Sequence, residues 1–129
     1  MRVLAIDHGA ARCGAAVSDP TGTISRPLDP ISPPDPGAVA RLAEGIGAEL
    51  VVIGLPVSLS GEEGAQAAEA RAFAEAVEGA GRVPVETYDE RLTTRMASAS
   101  RRAGSKAAED SLAAAHLLDS WLMAAEARR

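Results

Sequence analysis

Aromatic residues make up only 2% of this chain, which has one Phe, one Tyr and one Trp. Phe73, Tyr88 and Trp121 are too few to build the stacking platforms that grip unpaired bases. Cysteine is limited to Cys13, which excludes an intrachain disulfide framework and a cysteine-rich zinc site. No apolar run approaches the ~20 residues that a membrane-spanning helix needs. The opening, Met1-Arg2-Val3-Leu4-Ala5-Ile6-Asp7, has neither a long apolar core nor a cleavage site, so it does not read as a secretory leader. A reducing cytoplasm, away from any membrane, fits these absences. Positive charge is also in short supply. Lys and Arg total 13 against 18 Asp and Glu, for a net charge of −5. That argues against a protein that coats nucleic acid over its whole surface and leaves room for a local basic patch.

What is present is the composition of a globular domain, with 47% hydrophobic and 24% charged residues over 129 positions. The length suits a single domain covering residues 1–129. Val3 to Ile6 and Leu50 to Ile53 are short apolar runs of the kind buried on both faces of a sheet. Arg12 to Ser18 reads as a strand of small residues. Asp19-Pro20-Thr21-Gly22 is a turn, and Thr23 to Ser25 starts a third strand that Pro27 and Pro30 bring to an end. Asp35 can cap a first helix over 38–46, with Pro36 in its first turn. Ser60 and Glu63 have capping-box spacing for a second helix running to about Gly79. Val83 to Tyr88 reads as a fifth strand. Thr93 or Thr94 can cap a helix that fades by Gly104, and Glu109 to Ala125 forms the last helix. The order predicts an α/β fold with a mixed five-stranded sheet flanked by helices.

Chemistry in such sheets gathers outside the carboxyl ends of parallel strands. Asp7 ends the first strand and Glu90 follows the fifth. Two carboxylates delivered to one sheet edge attract a hard cation, because their repulsion needs compensation. Asp110 is a third acid. Counting from it, Ala113, Ala114, Leu117, Leu118 and Trp121 fall at helical spacing on one apolar stripe, so Asp110 shares the face that meets the core. It is either a paired or metal-bound carboxylate or a helix-terminal acid favoured by the macrodipole. Asp119 falls on roughly the opposite face and is expected to be solvated. Read singly, Asp7 can be a turn residue and Glu90 the partner of Arg91 or Arg95. Taken together, the three acids point to metal-dependent phosphoryl-transfer chemistry.

Residues 91–106 carry Arg91, Arg95, Arg101, Arg102 and Lys106 without a single acid, a local +5 that leaves −10 for the rest of the chain. Such a face steers a polyanion. A solvated helix face is the plainer alternative. His8, next to Asp7, points to the other side of its strand. His116 reads as packed or half-exposed, and no Ser-His-Asp set is present. The loop from Leu55 to Gly64 is either a binding loop or a plain connection.

Five segments taken in order are recognisable. They are Ile6-Asp7-His8-Gly9 with Arg12, Gly14 and Ala16 to Asp19; Val52 to Pro56 with Gly61, Glu63 and Gly64; Arg71 to Ala74; Asp89-Glu90-Arg91-Leu92-Thr93-Thr94; and Asp110 with Ala113, Ala114, Leu117, Leu118 and Leu122. Together they resemble the YqgF family, ribonuclease H-like proteins described as candidate pre-16S rRNA nucleases and candidate Holliday junction resolvases. The resemblance covers nearly the whole chain. It implies a ribonuclease H-like fold with Asp7, Glu90 and Asp110 as an acidic site for Mg²⁺ or Mn²⁺. It also implies hydrolysis of phosphodiester bonds, in ribosomal RNA precursor ahead of branched DNA, with ribosomal particles as a further partner. Arg91, Arg95 and Arg12 are the candidates for phosphate contacts. Ala10-Ala11, Cys13, Ser58 and Ser60 depart from the family's usual residues, which bears on substrate affinity. Monomer and homodimer both stay open. Two other classes compete. One is a noncatalytic RNA-binding module on the same scaffold. The other is an ATP-handling phosphotransferase, because Asp7-His8-Gly9 before a hairpin also opens the actin-like fold.

Overall fold

The computed structural model describes residues 1–57, 60–93 and 111–128. The chain runs β1 (Val3–His8), β2 (Cys13–Ser18), β3 (Ser25–Ile31), α1 (Pro36–Gly45), β4 (Leu50–Leu55), α2 (Ala65–Ala80) and β5 (Val85–Asp89). A 3-10 turn (Glu90–Thr93) and α3 (Leu112–Ala127) complete the described elements. The strands form one sheet in the order β3-β2-β1-β4-β5. The first three make an antiparallel meander, while β4 and β5 join β1 in parallel. The expected mixed five-stranded sheet is therefore present.

Strand alternation sorts the core into two layers. Leu4, Ile6, Val51 and Ile53 point to one face, where Val39 and Ala43 of α1 and Phe73, Ala74 and Val77 of α2 cover them. Val3, Ala5 and Val52 point to the other, under Ala114, Leu117, Leu118 and Trp121 of α3. Burying Leu117 or Leu118 in such a layer contributes about 1.5–3 kcal/mol each. Polar handles complete the α3 face. The Trp121 indole donates to Glu86 at 2.6 Å, and the hydroxyls of Tyr88 and Ser120 meet at 3.0 Å.

Several elements differ from the sequence expectation. The third strand runs through Pro27 and Pro30 instead of stopping at them. It is an edge strand, and there a missing N–H leaves no ladder bond unmade. Asp35 does cap α1, accepting from the Gly37 N–H at 3.0 Å. The capping box before α2 does not form. Gly64 occupies the cap position, and the Glu63 carboxylate goes to the Arg71 guanidinium instead, with two contacts of 2.6 Å. Ala113, placed on the apolar stripe of the last helix, is exposed, whereas Ala114, Ala115 and His116 are buried. Asp119, expected to be solvated, is half-buried and accepts a hydrogen bond from Ser25 of β3. The helix expected from Thr93 or Thr94 to Gly104 falls almost wholly outside the described residues. Among those described, no helix is long and apolar enough to cross a membrane.

Candidate active site

Asp7 is the next-to-last residue of β1 and shares a face with Ala5, toward α3. Its neighbour on β2 is Gly14. On its other side, β1 and β4 pair as far as Ile6 and Ile53, which brings Asp7 level with Gly54. Gly54 pairs with Tyr88 of β5, and two residues later the 3-10 turn begins at Glu90. That turn folds the Glu90 side chain back over β4. Its Oε1 lies 2.5 Å, and its Cγ 2.9 Å, from where a Cβ on Gly54 would stand. The two acids meet across this glycine, and the Glu90 carboxyl donates a hydrogen bond to Asp7.

Burial, this hydrogen bond, and the charges of Asp7 and Asp89 push Glu90 from an ordinary 4.5 up to about 8. The Glu90 carboxyl therefore keeps its proton at neutral pH and holds it against Asp7, 83 residues away in sequence. Raised carboxyl values of this kind gather where structure has been shaped for chemistry. The Cys13 thiol is pushed up to about 11, chiefly by burial, so it stays protonated and is no nucleophile at neutral pH.

His8 sits on the opposite face, as alternation requires, with its ring 4.6 Å from that of Phe73. It contributes nothing to the Asp7–Glu90 pair. Arg12 is exposed in the turn between β1 and β2. That turn is tight, since a Cβ at Gly9 would stand 2.7 Å from the Arg12 carbonyl oxygen. Arg91 does not partner Glu90. Its guanidinium clasps Asp89, with Nε at 2.9 Å and Nη2 at 2.6 Å from Oδ2. This pair holds the Asp89 carboxyl below the usual carboxylate range. Nη1 faces the loop at Gly61. Arg95, Asp110 and the basic run from residue 94 to 106 lie outside the described residues.

Ser111, the residue bonded to Asp110, is fully buried. Its hydroxyl donates to the Leu28 carbonyl at 2.5 Å and accepts from the Ala15 N–H at 3.1 Å. These groups flank a register shift in which β3 carries one extra residue against β2. The serine side chain fills the interrupted ladder instead of capping its own helix. The chain just after Asp110 is thereby anchored to β2, two residues from Cys13. Sequence reasoning missed Ser111, Gly54 and the role of Asp89. Gly54 left a signal: it lies two residues after Val52 and so faces the same way, level with Asp7.

Among the described residues, no group of three or more His, Cys, Asp or Glu side chains gathers as a metal cluster. Among the described residues, the Asp7–Glu90 pair offers hard oxygen donors at this place. These suit Mg²⁺ or Mn²⁺ and would not select a soft metal.

A family model described as RuvX, Holliday junction resolvase, matches residues 1–124. The chain belongs to the RuvX (YqgF) family. A relative from Anaeromyxobacter, named a candidate pre-16S rRNA nuclease, is 40% identical over 132 residues, covering 95% of this chain and 96% of its own. A relative of the same name from Thermobifida fusca is 46% identical over 104 residues, or 78% of this chain. The chain spans less than two thirds of two such relatives, 65% of the Thermobifida protein and 64% of one from Pelotomaculum thermopropionicum. Among solved structures, Thermus thermophilus RuvC in complex with a Holliday junction substrate superposes with a TM-score of 0.62 at 20% identity. The match covers 98% of this chain and 96% of that one. This likeness establishes the ribonuclease H-like fold of the RuvX chain.

Proposed function

We propose that this RuvX protein is a divalent-metal-dependent nuclease that hydrolyses phosphodiester bonds in ribosomal RNA precursor, within a single domain over residues 1–129. The observation that carries this reading is the contact between Asp7 and Glu90 over Gly54, with Glu90 raised to about 8. A protonated Glu90 relieves the repulsion between the two carboxyls, and a divalent cation is the natural replacement for that proton. Asp7, Glu90 and Asp110 would hold Mg²⁺ or Mn²⁺. The anchoring of Ser111 beside β2 supports giving the third place to Asp110. When bound, the cation lowers the pKa of water and offsets charge on the phosphodiester.

Asp7 and Glu90 would both serve the cation as oxygen donors, the Glu90 proton passing to solvent. Hydrolysis would form the bond from a water oxygen to phosphorus as the bond to the 3′ oxygen breaks in line, the water's proton passing to solvent and the 3′ oxygen taking one up, so no protein nucleophile is required. Arg91, Arg95 and Arg12 contact backbone phosphates. Asp89 holds the Arg91 guanidinium in one orientation. With so few aromatics, contacts go mainly to the sugar–phosphate backbone, and recognition follows shape rather than sequence. Pre-16S RNA as substrate is supported by the names of the curated relatives. Branched DNA is the second reading, favoured by the description of the family model. Ribosomal particles are the expected source of site specificity, and the cytoplasm the expected compartment.

The test compares wild type with Asp7→Asn on a pre-16S RNA and on a four-way DNA junction, with Mn²⁺ or Mg²⁺. Asp7→Asn keeps the shape and removes a donor, so cleavage should be lost while RNA binding persists. Cleavage of the junction alone would favour the branched-DNA reading. Equal results for wild type and variant on both substrates would instead identify a noncatalytic binding module.

A further inference from the structure

We propose that Gly54 is a positioning residue of the candidate site: the space left by its missing Cβ is what seats the Glu90 carboxyl against Asp7. The inference rests on the nuclease reading for its consequence and on geometry for its substance. A Cβ at position 54 would stand 2.5 Å from Glu90 Oε1, 2.9 Å from Cγ and 3.1 Å from Cδ. These three are its nearest neighbours, and all belong to one side chain. The first two distances are shorter than real Cβ contacts show.

Backbone geometry gives no other reason for glycine here. Among the described glycines, positive φ values occur at Gly22, Gly47 and Gly61 and not at Gly54. Position 54 lies inside β4, hydrogen-bonded to β5 through Tyr88. Glycine weakens a strand interior relative to alanine, and its presence there marks a close approach. The approaching group is the side chain of a residue that the 3-10 turn returns over the sheet. With any larger residue at 54, the flexible Glu90 side chain would yield before the strand did. Its carboxyl would then lift away from Asp7, and the two donors would no longer face one ligand. Gly54 thus acts through Glu90 and touches no substrate.

The experiment pairs Gly54→Ala with Glu90→Ala and the double variant. Melting temperature is read in EDTA, and Mn²⁺ affinity by isothermal titration calorimetry. Gly54→Ala should fold and bind Mn²⁺ at least tenfold more weakly than wild type. In the Glu90→Ala background the same substitution should leave the melting temperature unchanged or raise it, because nothing remains for the new methyl group to meet. If Gly54→Ala alone fails to fold, the double variant must restore folding. A double variant that also fails to fold overturns the proposal, since the methyl group would then be striking something other than Glu90. Wild-type Mn²⁺ affinity in a folded Gly54→Ala protein overturns it too. If the wild type binds no Mn²⁺, the nuclease reading fails, and the melting cycle still decides whether Gly54 seats Glu90.

Discussion

Glu90 should make the metal-free protein lose stability as pH rises through neutrality, the reverse of the usual carboxylate behaviour. The folded chain keeps the Glu90 proton up to about pH 8, whereas the unfolded chain releases it near 4.5. Between those values the folded state binds more protons, so the free energy of unfolding falls with rising pH. Stability from this group is complete below pH 4.5 and is lost as pH climbs to 8. One proton corresponds to at most about 1.4 kcal/mol per pH unit, so the full interval sets a ceiling of roughly 5 kcal/mol. The carboxyl sits at the sheet edge and keeps part of its hydration, which screens the penalty to roughly 2–3 kcal/mol.

For a chain of this size that amounts to about 6–12 °C in melting temperature. The assay is differential scanning calorimetry in EDTA from pH 5 to 8.5, on wild type and Glu90→Gln. Glutamine keeps a donor toward Asp7 and cannot ionise. The two curves should converge near pH 5 and separate steadily above it, with wild type lower. Asp89 and Glu63, whose values are lowered by their arginines, contribute the opposite slope only in the acid range below this window. The buried Cys13 thiol sets the upper limit. Saturating Mn²⁺ should close the gap at pH 8 by replacing the proton. Parallel curves from pH 5 to 8.5 would refute the account of Glu90 as a carboxyl that keeps its proton against Asp7.

Two further outcomes follow from the site's surroundings. Ser111→Ala leaves the Ala15 N–H and the Leu28 carbonyl without their bridging hydroxyl in a buried place. It should cost about 1–3 kcal/mol, measured by urea denaturation, with the thermal gain on adding Mn²⁺ also reduced. Arg91→Ala should weaken RNA binding evenly across sequences and lower the slope of log affinity against log salt by about one unit. Fluorescence anisotropy at several salt concentrations reads this directly, and an unchanged slope would remove Arg91 from the phosphate contacts.

The sequence by itself determined the layers of this protein. The four-residue apolar runs before Asp7 and Gly54 have no polar member, so they could only be strands covered on both faces, and the Asp-Pro-Thr-Gly turn set the meander beside them. The strand-end position of Asp7 followed from the first of these runs and that of Glu90 from the strand read over Val83 to Tyr88, and alternation alone sent His8 away from them. Local reading failed where a side chain had a choice of partners at similar distance. Glu63 had capping-box spacing yet took Arg71, because a charge-paired guanidinium competes well with a backbone N–H at an exposed helix start. Pro27 and Pro30 looked like strand breakers and were not, because only the strand order reveals that β3 has a free edge. The tertiary structure alone decided that Glu90 folds back over Gly54 to reach Asp7, and that Ser111 plugs a shifted ladder 96 residues away in sequence at Ala15. Periodicity assigns a residue to a face. It carries no information about which distant residue occupies the space above that face, and the chemistry of this site depends on that juxtaposition.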